Sequence, residues 1–178
     1  MNELQVITLP AKAAKQFDKV TIYARLIRQI KVATVMEIPA TGGSDKTDSP
    51  EIAAQFWRDS IATQPWYDVQ KEHLAVLLLD TKYKMTSFAL VSIGTLNESI
   101  AHPRDVFRPA IVAGAFALIV MHNHPSGEPS PSQADHSLTR RLAEAAELLQ
   151  IKLLDHVIVG EKSTGCAGYF SFREAGVL

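Results

Sequence analysis

Residues 116–121, Phe-Ala-Leu-Ile-Val-Met, form an unbroken apolar run that leads directly into His122-Asn123-His124-Pro125. A second run, Leu-Ala-Val-Leu-Leu-Leu, occupies residues 74–79. Side chains alternate between the two faces of a strand, so a run apolar at every position must be covered on both sides. Two such runs call for a central sheet with helices packed against it.

The remaining sequence supplies the covering elements. Ser49-Pro50-Glu51 reads as a helix start, with Ser as cap, Pro in the first turn and Glu at the positive end of the dipole. Ile52, Ala53, Phe56, Trp57 and Ile61 follow at helical spacing, and Pro65 ends the run. Residues 80–83 read as a turn, and residues 85–93 as a strand that makes a hairpin with 74–79. A helix is expected from His102-Pro103 to Gly114, with Pro109 a local misfit, and a longer one over 133–150 with Leu138, Leu142, Ala145 and Leu149 on one side. Residues 151–159 and 169–172 complete the strands. The expected class is α/β or α+β, a sheet flanked by helices. The polar segment 41–48 divides an N-terminal arm with one or two strands and a linker, 1–48, from a main domain, 49–178.

Composition removes several function classes. The chain has 178 residues, 47% hydrophobic and 21% charged, which suits one domain with an ordinary core. Its single cysteine, Cys166, excludes an internal disulfide and a thiolate-rich zinc site. With 18 basic and 19 acidic residues there is no global positive field to attract nucleic acid. The basic residues of the arm (Lys12, Lys15, Lys19, Arg25, Arg28, Lys31) read as solvated edge-strand charges. The start of the chain lacks the pattern of a secretory signal. The longest uncharged apolar stretch, residues 110–121, falls short of the roughly 20 residues that span a bilayer. A cytoplasmic protein without membrane association is expected.

The chemistry lies in residues 122–135. On a strand, His122 and His124 present their imidazoles on one side, and the loop after them is long enough to bring back Asp135. Two His and one carboxylate are the protein ligands of many catalytic zinc sites, which keep a fourth position for water of pKa about 7. These ligand types prefer zinc and accept other divalent metals. Asp135 has a second reading: three residues after Ser132, it completes a capping box at the start of the long helix. Spacing alone leaves both readings open.

The pattern His-x-His-Pro, six residues, Ser-x-x-Asp resembles the JAMM (MPN) metallopeptidase signature, met at His122, His124, Pro125, Ser132 and Asp135. The strings 122–127 and 131–132, Gly94-Thr95-Leu96-Asn97, His102-Pro103-Arg104 and residues 154–159 resemble its bacterial RadC-like branch. The resemblance covers about residues 50–178. It implies a JAMM/MPN, cytidine-deaminase-like mixed β-sheet with Zn2+ on His122, His124 and Asp135, and a serine, here Ser132, that stabilises the oxyanion. It also implies a general-base glutamate on an early strand, best matched by Glu72, with Glu98 as the rival. Asn123 departs from the Ser or Thr common at its position in the wider family. The longer RadC-like proteins carry a helix-hairpin-helix region, for which residues 1–48 offer no match.

The function expected from these residues is a zinc-dependent metallohydrolase, a metallopeptidase or isopeptidase acting on a peptide or protein. The alternative is a non-catalytic or DNA-repair-associated binding module on the same fold, for which the charge balance gives no support. A metal-dependent nuclease ranks last, and a zinc nucleobase deaminase is excluded because the chain has no Cys-x-x-Cys pair. Cys166 reads as a turn residue. Asp155 and His156, as strand neighbours, face opposite ways and need not act together. His73, His102 and His136 read as surface or capping residues.

Overall fold

A computed structural model of the chain describes residues 35–37, 47, 49–94 and 101–178. The arm and linker, 1–48, lie outside these residues apart from 35–37 and Thr47, as does Glu98; Val35 opens the first strand. The strands are β1 (Val35–Glu37), β2 (His73–Leu79), β3 (Met85–Ile93), β4 (Ala117–Asn123), β5 (Lys152–Val159) and β6 (Tyr169–Ser171). The helices are α1 (Pro50–Phe56), α2 (Pro103–Ala113) and α3 (Gln133–Leu149).

The six strands form one mixed sheet in the order β1-β3-β2-β4-β5-β6. Only β4 and β5 run parallel, because α3 provides the crossover between them; every other pair is antiparallel. As the apolar runs require, β2 and β4 are central and buried at every position. Leu74, Val76, Leu78, Leu118 and Val120 point to one face, where Val106, Phe107 and Ala110 of α2 and Leu138, Leu142 and Ala146 of α3 cover them. Ala75, Leu77, Leu79, Ile119 and Met121 point to the other, beneath Ala53 and Ala54 of α1 and the Trp57 and Ile61 side chains. Each fully buried Leu or Ile contributes roughly 1.5–3 kcal/mol relative to an exposed one, which makes this two-faced burial the main stabilising term.

Several local expectations need correction. Ser49 occupies the N-cap position of α1, but its side chain makes no capping hydrogen bond. The helix does not run on to Pro65; it passes at Trp57–Ile61 into a π-helical turn closed by Ala62 N–H on the Trp57 carbonyl at 2.8 Å. As expected, α2 runs through Pro109 to Ala113, and it ends on Gly114 in the left-handed conformation. The buried Val106, Phe107 and Ala110 beside Pro109 outweigh the local loss. His73 is not a surface residue. Its ring is fully buried, stacked on Tyr67 at 4.6 Å and tilted against Trp66 at 5.8 Å, with Nδ1 2.9 Å from the Lys71 carbonyl. Among the described residues, no helix is long and apolar enough to cross a membrane.

Candidate metal centre

The His pair occupies the end of β4. His122 is the last-but-one strand residue, in register with Leu74 of β2 and Ile158 of β5, and His124 follows the strand. The chain then leaves the sheet through a loop that is fastened to the end of β5. His124 N–H donates to the Val159 carbonyl at 3.1 Å, and Glu161 N–H donates to the Gly127 carbonyl at 2.8 Å. Gly160 permits this approach, because a Cβ there would stand 2.3 Å from the Gly127 carbonyl oxygen. The loop delivers Ser132 as N-cap of α3 and Asp135 three residues later.

His122, His124 and Asp135 converge, with one ligand atom from each lying within 4.8 Å of the others. The two imidazole Nε2 atoms are 3.1 Å apart. Asp135 Oδ1 is 3.2 Å from His122 Nε2, and Oδ2 is 3.6 Å from His124 Nε2. Bonds of about 2.0–2.2 Å to zinc at the tetrahedral angle put ligand atoms about 3.3–3.6 Å apart, so the three side chains fit such an ion.

The capping box and the three-residue cluster share the same carboxylate. Oδ2 accepts from Ser132 N–H at 2.7 Å and from the Ser132 hydroxyl at 2.6 Å, while Ser132 Oγ accepts from Asp135 N–H at 3.2 Å. Oδ1 is left facing His122. Ser132 thus stands beside the site with its hydroxyl hydrogen directed at Asp135.

The electrostatics follow from this crowding. Burial alone would raise the Asp135 pKa, but the facing His122 and His124 side chains and the Ser132 hydroxyl hold it far below the usual carboxylate range. His124 is raised above 6.5, chiefly by its hydrogen bond to Asp135 and against burial, with the Glu128 carbonyl and the Glu72 carboxylate adding to the rise. Glu72 is half-buried and immediately precedes β2. The backbone around Glu72 is fixed by Asn123, whose Oδ1 accepts from His73 N–H at 2.8 Å and whose Nδ2 donates to the Lys71 carbonyl at 3.0 Å.

Asp155 and His156 do face opposite ways, as strand neighbours should. Asp155 accepts from the Ser171 hydroxyl at 2.6 Å and from Arg173 N–H at 3.0 Å, anchoring the C-terminal segment; burial nonetheless raises its pKa. His156 lies fully buried behind His122. Burial holds its pKa well below 6.5 and keeps the ring neutral. His156, Thr139 and Asn123 were not among the site residues expected from sequence, since nothing in their spacing separates them from ordinary core polar residues. His102 caps α2 by position and is exposed, and His136 meets the Phe172 ring edge-on at 5.1 Å.

Comparison with known proteins agrees with this arrangement. Residues 47–177 match the RadC-like JAB domain family. The chain is 39% identical over 153 residues to a UPF0758 protein of Rubrobacter xylanophilus, covering 86% of this chain and 63% of that protein. It is 53% identical over 111 residues to a UPF0758 protein of Trichlorobacter lovleyi, covering 62% of this chain and 46% of the relative. A UPF0758 protein of Thermotoga maritima is 48% identical over 110 residues, again 62% of this chain and 47% of the relative. The chain spans about half the length of most of these curated relatives. With residues 47–177 matching its model, and with a His–His–Asp cluster that could hold a metal, the chain belongs to the RadC-like JAB domain family.

Proposed function

We propose that the domain is a zinc-dependent hydrolase that cleaves a peptide or isopeptide bond in a protein substrate. The observation that carries this reading is the convergence of His122, His124 and Asp135 at spacings of 3.1–3.6 Å. Membership of a JAB-type family supports hydrolytic chemistry at such a centre. Zinc held there supplies a Lewis acid for the substrate carbonyl and a water that ionises near neutral pH.

The chain's own residues would do the rest. Glu72, which immediately precedes β2, takes the proton from the attacking water and passes it to the leaving amine. The Ser132 hydroxyl rotates off Asp135 Oδ2 to donate to the carbonyl oxygen as negative charge builds on it. The Ser132 backbone N–H remains on Oδ2 and keeps Asp135 in place.

The test is cleavage of a peptide library and of a branched isopeptide reporter, read by mass spectrometry, with zinc-loaded protein purified without a histidine tag. The wild type should cut at least one set, and Glu72→Gln should retain zinc and lose turnover. A zinc-loaded wild type that cuts neither would contradict the hydrolase reading. Wild-type turnover by Glu72→Gln would remove Glu72 from it.

A further inference from the structure

We infer that His156 is a positioning residue that fixes the tautomer of His122 and so makes His122 Nε2 available as a metal ligand. The inference rests on the metal reading above and assigns the residues behind the ligands, which that reading leaves without a role.

Three short contacts run from His122 into α3. His122 Nδ1 lies 2.9 Å from His156 Nε2, His156 Nδ1 lies 2.7 Å from Thr139 Oγ1, and Thr139 Oγ1 lies 2.7 Å from the Asp135 backbone carbonyl oxygen. Counting hydrogens sets their direction. A carbonyl oxygen only accepts, so the Thr139 hydroxyl donates to Asp135. That hydroxyl has one hydrogen, so toward His156 it accepts, and His156 carries its proton on Nδ1. A neutral imidazole has a single N–H, which leaves His156 Nε2 as a bare lone pair. His122 Nδ1–H then donates to it, and His122 Nε2 is left unprotonated, 3.2 Å from Asp135 Oδ1 and 3.1 Å from His124 Nε2. The opposite direction leaves a 2.7 Å oxygen–oxygen contact without a hydrogen and puts a proton between the three ligands.

The surroundings hold this assignment. His156 is fully buried, with the Phe172 ring stacked 4.9 Å away at 11°, so water offers neither of its nitrogens another partner. Its place on the His122 face comes from one irregularity: β5 pairs Leu153 with Leu118 but Asp155 with Ile119, so Leu154 is an extra residue and His156 falls opposite Val120. The relay also joins two ligands, since it starts on the His122 ring and ends on the Asp135 backbone. His124 is oriented separately, its Nδ1 donating to the Glu128 carbonyl at 2.8 Å.

The experiment compares zinc affinity, by competition with a chromogenic chelator, for wild type, His156→Met and His156→Gln. Methionine fills the space without an acceptor, whereas the glutamine amide oxygen still accepts from His122 Nδ1–H. Loss of an outer partner of a metal-bound imidazole weakens binding about 10- to 100-fold, the result expected for His156→Met, with His156→Gln restoring most of it. Nitrogen-15 NMR of zinc-loaded wild type should show His156 protonated at Nδ1 and bare at Nε2, a reading that stands even if His156→Met does not fold. Wild-type affinity in His156→Met, or a proton on His156 Nε2, would overturn the inference while leaving the metal centre intact. A wild type that takes up no zinc would overturn both.

Discussion

Asn123 and His73 meet across the end of the β2–β4 ladder, where the carboxamide oxygen accepts the buried His73 N–H at 2.8 Å in place of a strand carbonyl. Backbone pairing between these strands ends at Leu74 and His122, and the Asn123 side chain extends it by one step. Its amide hydrogen holds the Lys71 carbonyl at 3.0 Å, so the residues on both sides of Glu72 are fastened by the residue between the two histidines. If Glu72 is the proposed base, Asn123 sets its position. Asn123→Ala should cost about 1–3 kcal/mol of stability through the unpaired His73 N–H. It should also lower kcat with zinc stoichiometry unchanged, as followed by unfolding, turnover and metal analysis. Unaltered kcat in a folded, zinc-loaded variant would contradict the positioning role.

The His124–Asp135 pair gives the metal-free protein a defined pH signature. Asp135 has a folded pKa below its ordinary 3.8, so its contribution is present above about pH 4 and is lost as acid titrates the folded carboxylate. His124 has a folded pKa above 6.5, so its contribution is complete below about pH 6.5 and fades as pH rises through the raised value. Together they stabilise most between about pH 4 and 6.5. Zinc needs His124 without its proton, so the stability added by zinc should be larger at about pH 8 than at about pH 6. Thermal unfolding with and without chelator across this range checks it, and a zinc increment that shrinks with rising pH would be the opposite of the expected sign.

Gly160 packs against the loop between His124 and Asp135. A methyl group there would meet the Gly127 carbonyl oxygen at 2.3 Å and Pro129 Cδ at 2.9 Å, and the first of these is backbone that cannot swing aside. Gly160→Ala should push the loop from β5, costing about 1–3 kcal/mol as an overpacked contact and weakening zinc binding. Calorimetry and chelator competition on the same sample measure both effects. Unchanged stability together with unchanged zinc affinity would show that the loop is not pinned there.

Asp155 is a buried clasp whose ionised form is disfavoured. Asp155→Ala leaves the Ser171 hydroxyl and the His156 and Arg173 N–H groups without this acceptor and should cost about 3 kcal/mol or more. Asp155→Asn keeps an acceptor at Oδ1 and should cost much less. Because the folded pKa is raised, the carboxyl's contribution is greatest below about pH 3.8 and declines as pH rises through the folded value; the Asn variant should lose that slope. Equal losses in the two variants would mean that hydrogen bonding at this position is not what stabilises the segment.

The parts of this architecture visible in the sequence are those written in short-range pattern. Residues 74–79 and 116–121 are apolar at every position and became the two central strands, and the Ser132–Asp135 spacing announced the cap and the carboxylate that joins the histidine cluster. What escaped depends on geometry between distant elements. His73 looked exposed beside Lys71 and Glu72, yet Trp66 and Tyr67 close over it from the preceding segment. His156 could be placed on one face or the other only by knowing that Leu154 is an extra residue against β4. Asn123 reads in the sequence only as a departure from the usual Ser or Thr, and its grip on residues 71 and 73 needed the β2–β4 register.

Elemental analysis of untagged protein, prepared without added chelator, addresses the metal centre itself. Wild type should carry close to one zinc per chain, and His124→Ala and Asp135→Asn should each carry almost none while remaining folded. Full zinc occupancy in both variants would contradict the assignment of His122, His124 and Asp135 as the ligands.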